Sequence, residues 1–202
     1  MRNGRKNLQV ILVAVVLLLV GLSIGFAALS ATLNITTSTV KQEGSSVVSW
    51  NIGFQGTSAT PTSTGTSTVG RSCDNATVTS SAVTISNATL SKPGDKCVYA
   101  LTIKNSGTIA GLLYSVTPTK PTSTTCTVTA ASSTASAKMV CGNLTYTLSA
   151  SNDDSTKLTT GSTLAGNGTK SVYLILEYTG TTLNSSAVTQ SSGSFSIVYN
   201  QA

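Results

Sequence analysis

Apolar and polar residues alternate along most of this chain with a period of two, from Ala28 onward. That alternation puts successive side chains on opposite faces of an extended backbone, so it predicts strands rather than helices. Trp50, Ile52 and Phe54 share one face, as do Val83 and Ile85, and then Cys97, Tyr99, Leu101 and Ile103. Leu112, Tyr114 and Val116 follow, then Cys126 and Val128, then Leu144, Tyr146 and Leu148. The last sets are Val172, Leu174, Leu176 and Tyr178, and finally Phe195, Ile197 and Tyr199. With Gly, Pro, Asn and Ser turns between them these make about nine or ten strands, which predicts an all-β jelly roll or β-sandwich. Val172 to Tyr178 is apolar on both faces, because Tyr173 and Ile175 oppose the main set, and this predicts a central strand covered on both sides. Thr57 to Gly70 and Thr117 to Thr125 hold no core-facing residues and read as exposed loops.

The first residues break the pattern. Basic Arg2, Arg5 and Lys6 precede an apolar run from Val10 to Val20, and small residues lead to Gly25-Phe26-Ala27. This is the three-part form of a signal peptide over residues 1–27, cut by signal peptidase between Ala27 and Ala28. The same stretch also fits an uncleaved anchor helix, since Val10 to Leu29 gives about 20 largely apolar residues, enough to cross a bilayer core of about 30 Å. On either reading the rest of the chain is exported, and the membrane is touched only through the leader.

Cleavage would free the stretch ALSATLNITT, a well-patterned strand with no hairpin mate before it. Leu29, Ala31, Leu33 and Ile35 form its apolar face, with Ser30, Thr32, Asn34 and Thr36 opposite. The chain therefore divides into a leader, an N-terminal strand segment over residues 28–42 and a β-domain over 43–202.

Composition removes several functions. The net charge is +6, but three of the basic residues lie in the leader and the other nine are scattered singly, without the basic face and interleaved aromatics of nucleic-acid binding. Ser and Thr make up about a third of the chain, while charged residues are only 9%, as in exported surface proteins. The chain has no histidine, so neither a zinc peptidase nor a serine–histidine nucleophile is available, and no cofactor or metal is expected. Asp153-Asp154 is the one adjacent acidic pair, in a loop SNDDST that reads as a solvated turn. The aromatic strand residues read as core rather than as a carbohydrate-stacking face, because they alternate in step with aliphatics.

Cys73, Cys97, Cys126 and Cys141 are an even set in an exported chain, which points to two disulfides among three connectivities; local pairing, Cys73 with Cys97 and Cys126 with Cys141, is favoured. Six sequons, at Asn34, Asn75, Asn87, Asn143, Asn167 and Asn184, are candidate glycosylation sites.

The most specific local text is NATLSKPGDKCVYALTIKNSGTIAG, Asn87 to Gly111. Pro93-Gly94-Asp95 makes a tight turn that launches the strand from Cys97 to Ile103, and Asn105-Ser106-Gly107 ends it with residues that tolerate left-handed backbone. This stretch, with the Phe26-Ala27-Ala28 leader end, resembles the TasA and camelysin-like family of exported bacterial proteins, which has relatives among archaeal bundling pili. The resemblance implies a jelly-roll subunit of an extracellular pilus or biofilm-matrix fibre, a homopolymer in which the N-terminal strand of one copy completes the sheet of the next. Leu29, Ala31, Leu33 and Ile35 would then be the donor-strand interface, by β-augmentation. Two alternatives stand beside it: the same segment folding back as the first strand of its own domain, and a membrane-anchored monomeric adhesion or binding module.

Overall fold

A backbone rich in β-branched and aromatic residues at every second position is stable only when its amides pair between strands and one face is covered. The computed structural model describes residues 49–65, 71–122, 125–182 and 193–202, together with the backbone of residues 30–34. Residues 31–202 form one compact unit. The leader and the proposed helix of residues 1–27 lie outside the described residues.

The described residues are all-β, with no helix. Nine strands have four or more residues: β1 (Ser30–Asn34), β2 (Ile52–Gln55), β9 (Lys96–Asn105), β10 (Gly111–Thr119), β11 (Cys126–Thr129), β12 (Ala137–Cys141), β13 (Leu144–Ser149), β15 (Thr169–Tyr178) and β16 (Ser194–Gln201). Seven shorter ones join them: β3 (Ser58–Ala59), β4 (Thr62–Thr64), β5 (Ser72–Cys73), β6 (Ala76–Val78), β7 (Val83–Thr84), β8 (Ala88–Thr89) and β14 (Thr163–Leu164). A four-stranded sheet runs β1-β16-β10-β14. A seven-stranded sheet runs β11-β12-β13-β15-β9-β2, with β4 also on β9. β3-β6-β7 and β5-β8 make two small additional sheets.

One hydrophobic cluster draws on both large sheets: Leu113, Val116, Phe195, Ile197 and Tyr199 from the four-stranded one, and Tyr99, Leu101, Ile103, Leu148 and Val172 from the seven-stranded one. The expected inward faces of Trp50 to Phe54, Cys97 to Ile103 and Phe195 to Tyr199 are all buried. β15 is central, between β13 and β9, and Ile175 on its second face is buried as well.

Four expectations are corrected, two of single residues and two of segments. Tyr114 does not share a face with Val116: the β10–β16 register slips between Leu113 and Ser115, so Tyr114 is the extra residue of a bulge and stands 64% exposed, while Leu113 and Val116 go inward. Val128 does not follow Cys126 into the core, because β11 is the outermost strand of its sheet and its far half is uncovered. The two segments read as loops contain strands. Thr57 to Gly70 holds β3 and β4, and β10 continues through Thr119 with Pro118 buried. Ladder bonds come from the backbone, so a Ser/Thr run can pair without an apolar face.

The strand ends at Asn105 as expected, without using the left-handed tolerance of its residues, since neither Asn105 nor Gly107 has positive φ. Asn105 is buried and acts as a polar tie: Nδ2 donates to the carbonyls of Ile109 (2.7 Å) and Leu164 (3.3 Å), and Oδ1 accepts from the Gly107 amide (3.0 Å). Gly107 is required for close approach, because a Cβ there would lie 2.2 Å from the Ser49 carbonyl oxygen.

Candidate functional site

The N-terminal strand is the first place to look for assembly. Ala31 and Leu33 lie on β1, whereas Leu29 and Ile35 fall outside the described residues. β1 pairs with β16 of the same chain and forms one edge of the four-stranded sheet. On its other flank β16 is zipped to β10 over almost its whole length, from Gly111↔Gln201 to Thr119↔Ser194. Among the described residues, β1 is thus the neighbour on the second flank of a long strand whose inward residues, Phe195, Ile197 and Tyr199, are core.

The far edge of the same sheet is closed in several ways. β14 pairs with β10 only at Gly111 and Leu112. Beyond it, the Leu113 amide donates to the Ser162 carbonyl at 2.9 Å and its carbonyl accepts from Gly161 at 2.7 Å. The Val116 carbonyl accepts from Ala131 at 2.9 Å, and Pro118, two residues on and facing the same way, has no N–H to offer. In the seven-stranded sheet, β11 at one edge is short and tied by the Cys126–Cys141 disulfide, and β2 at the other donates its Phe54 amide to Ser80 at 2.9 Å.

The Pro-Gly-Asp turn is a fastening rather than a reactive centre. Gly94 has φ +87°, the left-handed value expected of it, and a Cβ there would meet open space. Its amide donates to the Tyr178 carbonyl at 2.9 Å, and the Tyr178 amide donates back to the Asp95 carbonyl at 2.9 Å, so the turn is stitched to the end of β15. The Asp95 carboxylate is fully buried, accepts from the amides of Ser91 and Lys92 at 3.0 Å each, and lies 3.6 Å from the Arg71 guanidinium. Close by, Cys73 and Cys97 are joined, and Cys126 joins Cys141, the two local pairings favoured from the sequence. Two disulfides are compatible with an oxidising, extracellular environment.

A groove of about 390 Å³ lies on the second face of the seven-stranded sheet, lined among others by Lys138, Thr145, Thr147, Asp154, Ile175 and Glu177. Four of its charged residues are in ion pairs: Lys96 with Glu177 at 2.9 Å, and Asp154 with Lys138 at 3.2 Å, Asp154 also meeting Lys157 at 3.1 Å. Sequence reasoning missed Asp154 as a hub, and treated it as a solvated turn residue. It adopts φ 60° and also accepts from the Ser136 hydroxyl. Burial alone would push its carboxyl up, but the bonds from Ser136, Lys157 and Lys138 outweigh that and hold it down at about 2. Asp153 is exposed and is held below the usual carboxylate range by the Ser155 hydroxyl and amide. Burial pushes the phenols of Tyr199 and Tyr99 up to about 12, the Asp74 carboxylate adding to the effect on Tyr99, and raises Tyr146 too. Among the described residues, no three His, Cys, Asp or Glu side chains converge as metal ligands.

Most of the strand aromatics are core, with Tyr146 and Tyr173 half-buried. Trp50, Phe54, Tyr99, Tyr178, Phe195 and Tyr199 are buried, and Tyr114 is the exposed one. Of the sequons, Asn75, Asn87 and Asn167 are exposed and Asn143 is half-buried. Asn34 ends β1, and Asn184 lies outside the described residues. No known protein family, curated protein or solved structure matches this chain.

Proposed function

We propose that this chain is the structural subunit of an extracellular filament, a pilus or biofilm-matrix fibre, whose jelly-roll domains are joined by exchange of the N-terminal strand. The observation that carries the reading is the asymmetry of edges: β16 is flanked by the N-terminal strand β1, while the far edge of the same sheet is closed by β14, Ala131 and Pro118. An exchanged β1 from a second copy would restore the same ladder, so exchange conserves bonds and adds a link between subunits. The reach is sufficient. Residues 35–49 could extend roughly 50 Å, and a domain of this length is roughly 40 Å across. With one donor and one acceptor edge per copy, growth is linear.

Deleting residues 29–35 tests this. The shortened protein should be soluble and make no filaments under the electron microscope; filaments of normal form would sink the idea. A second reading keeps β1 in its own chain, where it lies beside β16, and makes the protein a monomeric binding module held by an uncut leader. N-terminal sequencing of protein from cells separates the two: a start near Ala28 supports the filament, and a start at Met1 supports the anchored module.

A further inference from the structure

The assembly reading leaves the sequons unexplained, and the described ones are sorted by their surroundings. N-linked attachment needs the asparagine amide to leave its native hydrogen bonds, the hydroxyl two residues on to be reachable, and room in the folded state for a bulky polar group. Asn143 meets none of these conditions. Its Nδ2 donates to the Tyr178 hydroxyl at 3.2 Å, and Thr145 is 8% exposed, with its hydroxyl shared with Thr179 at 2.7 Å. Gly180 closes over the side chain so tightly that a Cβ there would sit 2.3 Å from Asn143 Cγ. The Asn87 amide, though exposed, is spent on Asp74 at 3.3 Å.

Asn75 and Asn167 are different. Asn75 lies between β5 and β6, Asn167 in the turn between β14 and β15, and both are exposed, as are Thr77 and Thr169. Neither amide side chain has a partner among the described residues. Asn167 has φ 60°, a left-handed conformation that asparagine tolerates in a turn, and it is exposed.

We propose that Asn75 and Asn167 carry N-linked glycans and that Asn143 stays bare. In the step, Asn Nδ2 attacks C1 of a sugar held on a lipid-linked pyrophosphate; the new N–C1 bond replaces the C1–O bond, the lipid pyrophosphate departs, and Nδ2 gives up one proton. The placement has a consequence. Asn75 is near the Cys73–Cys97 disulfide at the start of β9, and the Asn167 amide donates to Gly107 beyond its end. A ten-residue strand separates them, roughly 33 Å. The glycans therefore shield the two ends of the seven-stranded sheet, and neither is on β1, β16 or β10.

Protein taken from the surface of the cells that make it, digested and mapped by electron-transfer mass spectrometry, decides the matter. Expected are sugar masses on the Asn75 and Asn167 peptides and an unmodified Asn143 peptide. Thr77→Ala and Thr169→Ala, both at exposed positions, should each remove one glycan mass without changing the circular dichroism of the fold. A bare Asn75 or Asn167, sugar on Asn143, or sugar confined to Ser and Thr side chains overturns the proposal.

Discussion

Pro118 stands opposite Phe195 in the β10–β16 ladder, with its ring nitrogen turned away from β16 toward the sheet's far edge. A proline is tolerated there because that nitrogen has no ladder partner to lose, and it withholds a donor from any neighbouring chain. Pro118→Val should fold with a change of no more than about 1 kcal/mol, yet restore an edge amide. The expected outcome is concentration-dependent association in light scattering and, on the proposed filament reading, thickened or branched filaments in place of single ones. If the variant stays as dispersed as its parent, another feature guards that edge.

The buried Asp95 carboxylate is the acceptor for the turn that stitches β9 to β15. Removing it strands the Ser91 and Lys92 amides and leaves Arg71, itself largely buried, without its counter-charge. Asp95→Ala should therefore lower the unfolding free energy by about 3 kcal/mol, the scale for breaking a buried ion pair from one side. Urea denaturation at neutral pH measures it. A loss below about 1 kcal/mol would mean that water replaces the carboxylate.

Much of this fold could be read from alternation alone. Trp50 to Phe54, Cys97 to Ile103 and Phe195 to Tyr199 were legible because each strand has one covered face, and the local pairing favoured among three connectivities is the one both disulfides adopt. Tyr114 was misread because a bulge adds one residue and reverses the parity beyond it, and a bulge leaves no mark in a hydrophobic pattern. β3 and β4 were hidden because their pairing uses amides, not side chains. Asp154 was hidden because Ser136, Lys138 and Lys157 reach it only through tertiary pairing and an outlying φ. The asymmetry of edges, which carries the functional reading, depends on strand order, and strand order is not written in any local window.

The two disulfides should act on different parts of the molecule. Cys126 and Cys141 are directly opposed on β11 and β12, and their bond closes a separation of 15 residues at a sheet edge. Cys73–Cys97 spans 24 residues and anchors β5 to β9 at the fully buried Cys97. Chain entropy assigns roughly 3 kcal/mol to each. Replacing Cys126 and Cys141 by serine should speed hydrogen exchange at Thr127 to Thr129 ahead of any other amides, because among the described residues β11 has a ladder partner on one side only. Replacing Cys73 and Cys97 should instead lower global stability, with exchange rising across β9 and β15 together. Uniform exchange in both variants would show that β11 is not an independent unit.

Asp154 gives the fold an acid limb. Its carboxyl sits at about 2 in the folded state against an ordinary value of 3.8, so the unfolded chain binds that proton more readily. The stabilisation is therefore fully present above about pH 4 and is lost as pH falls through about 2. Asp154→Asn removes the charge that Lys138 and Lys157 share, and should cost roughly 1.5 kcal/mol at pH 7, the low end for charge-assisted bonds because the site is partly open to solvent. The difference between parent and variant should shrink steadily below pH 4 and vanish only below about pH 2. Paired denaturation curves at pH 7, 4 and 2.5 measure it, and a difference that does not depend on pH would assign the effect to packing of the loop rather than to the ion pairs.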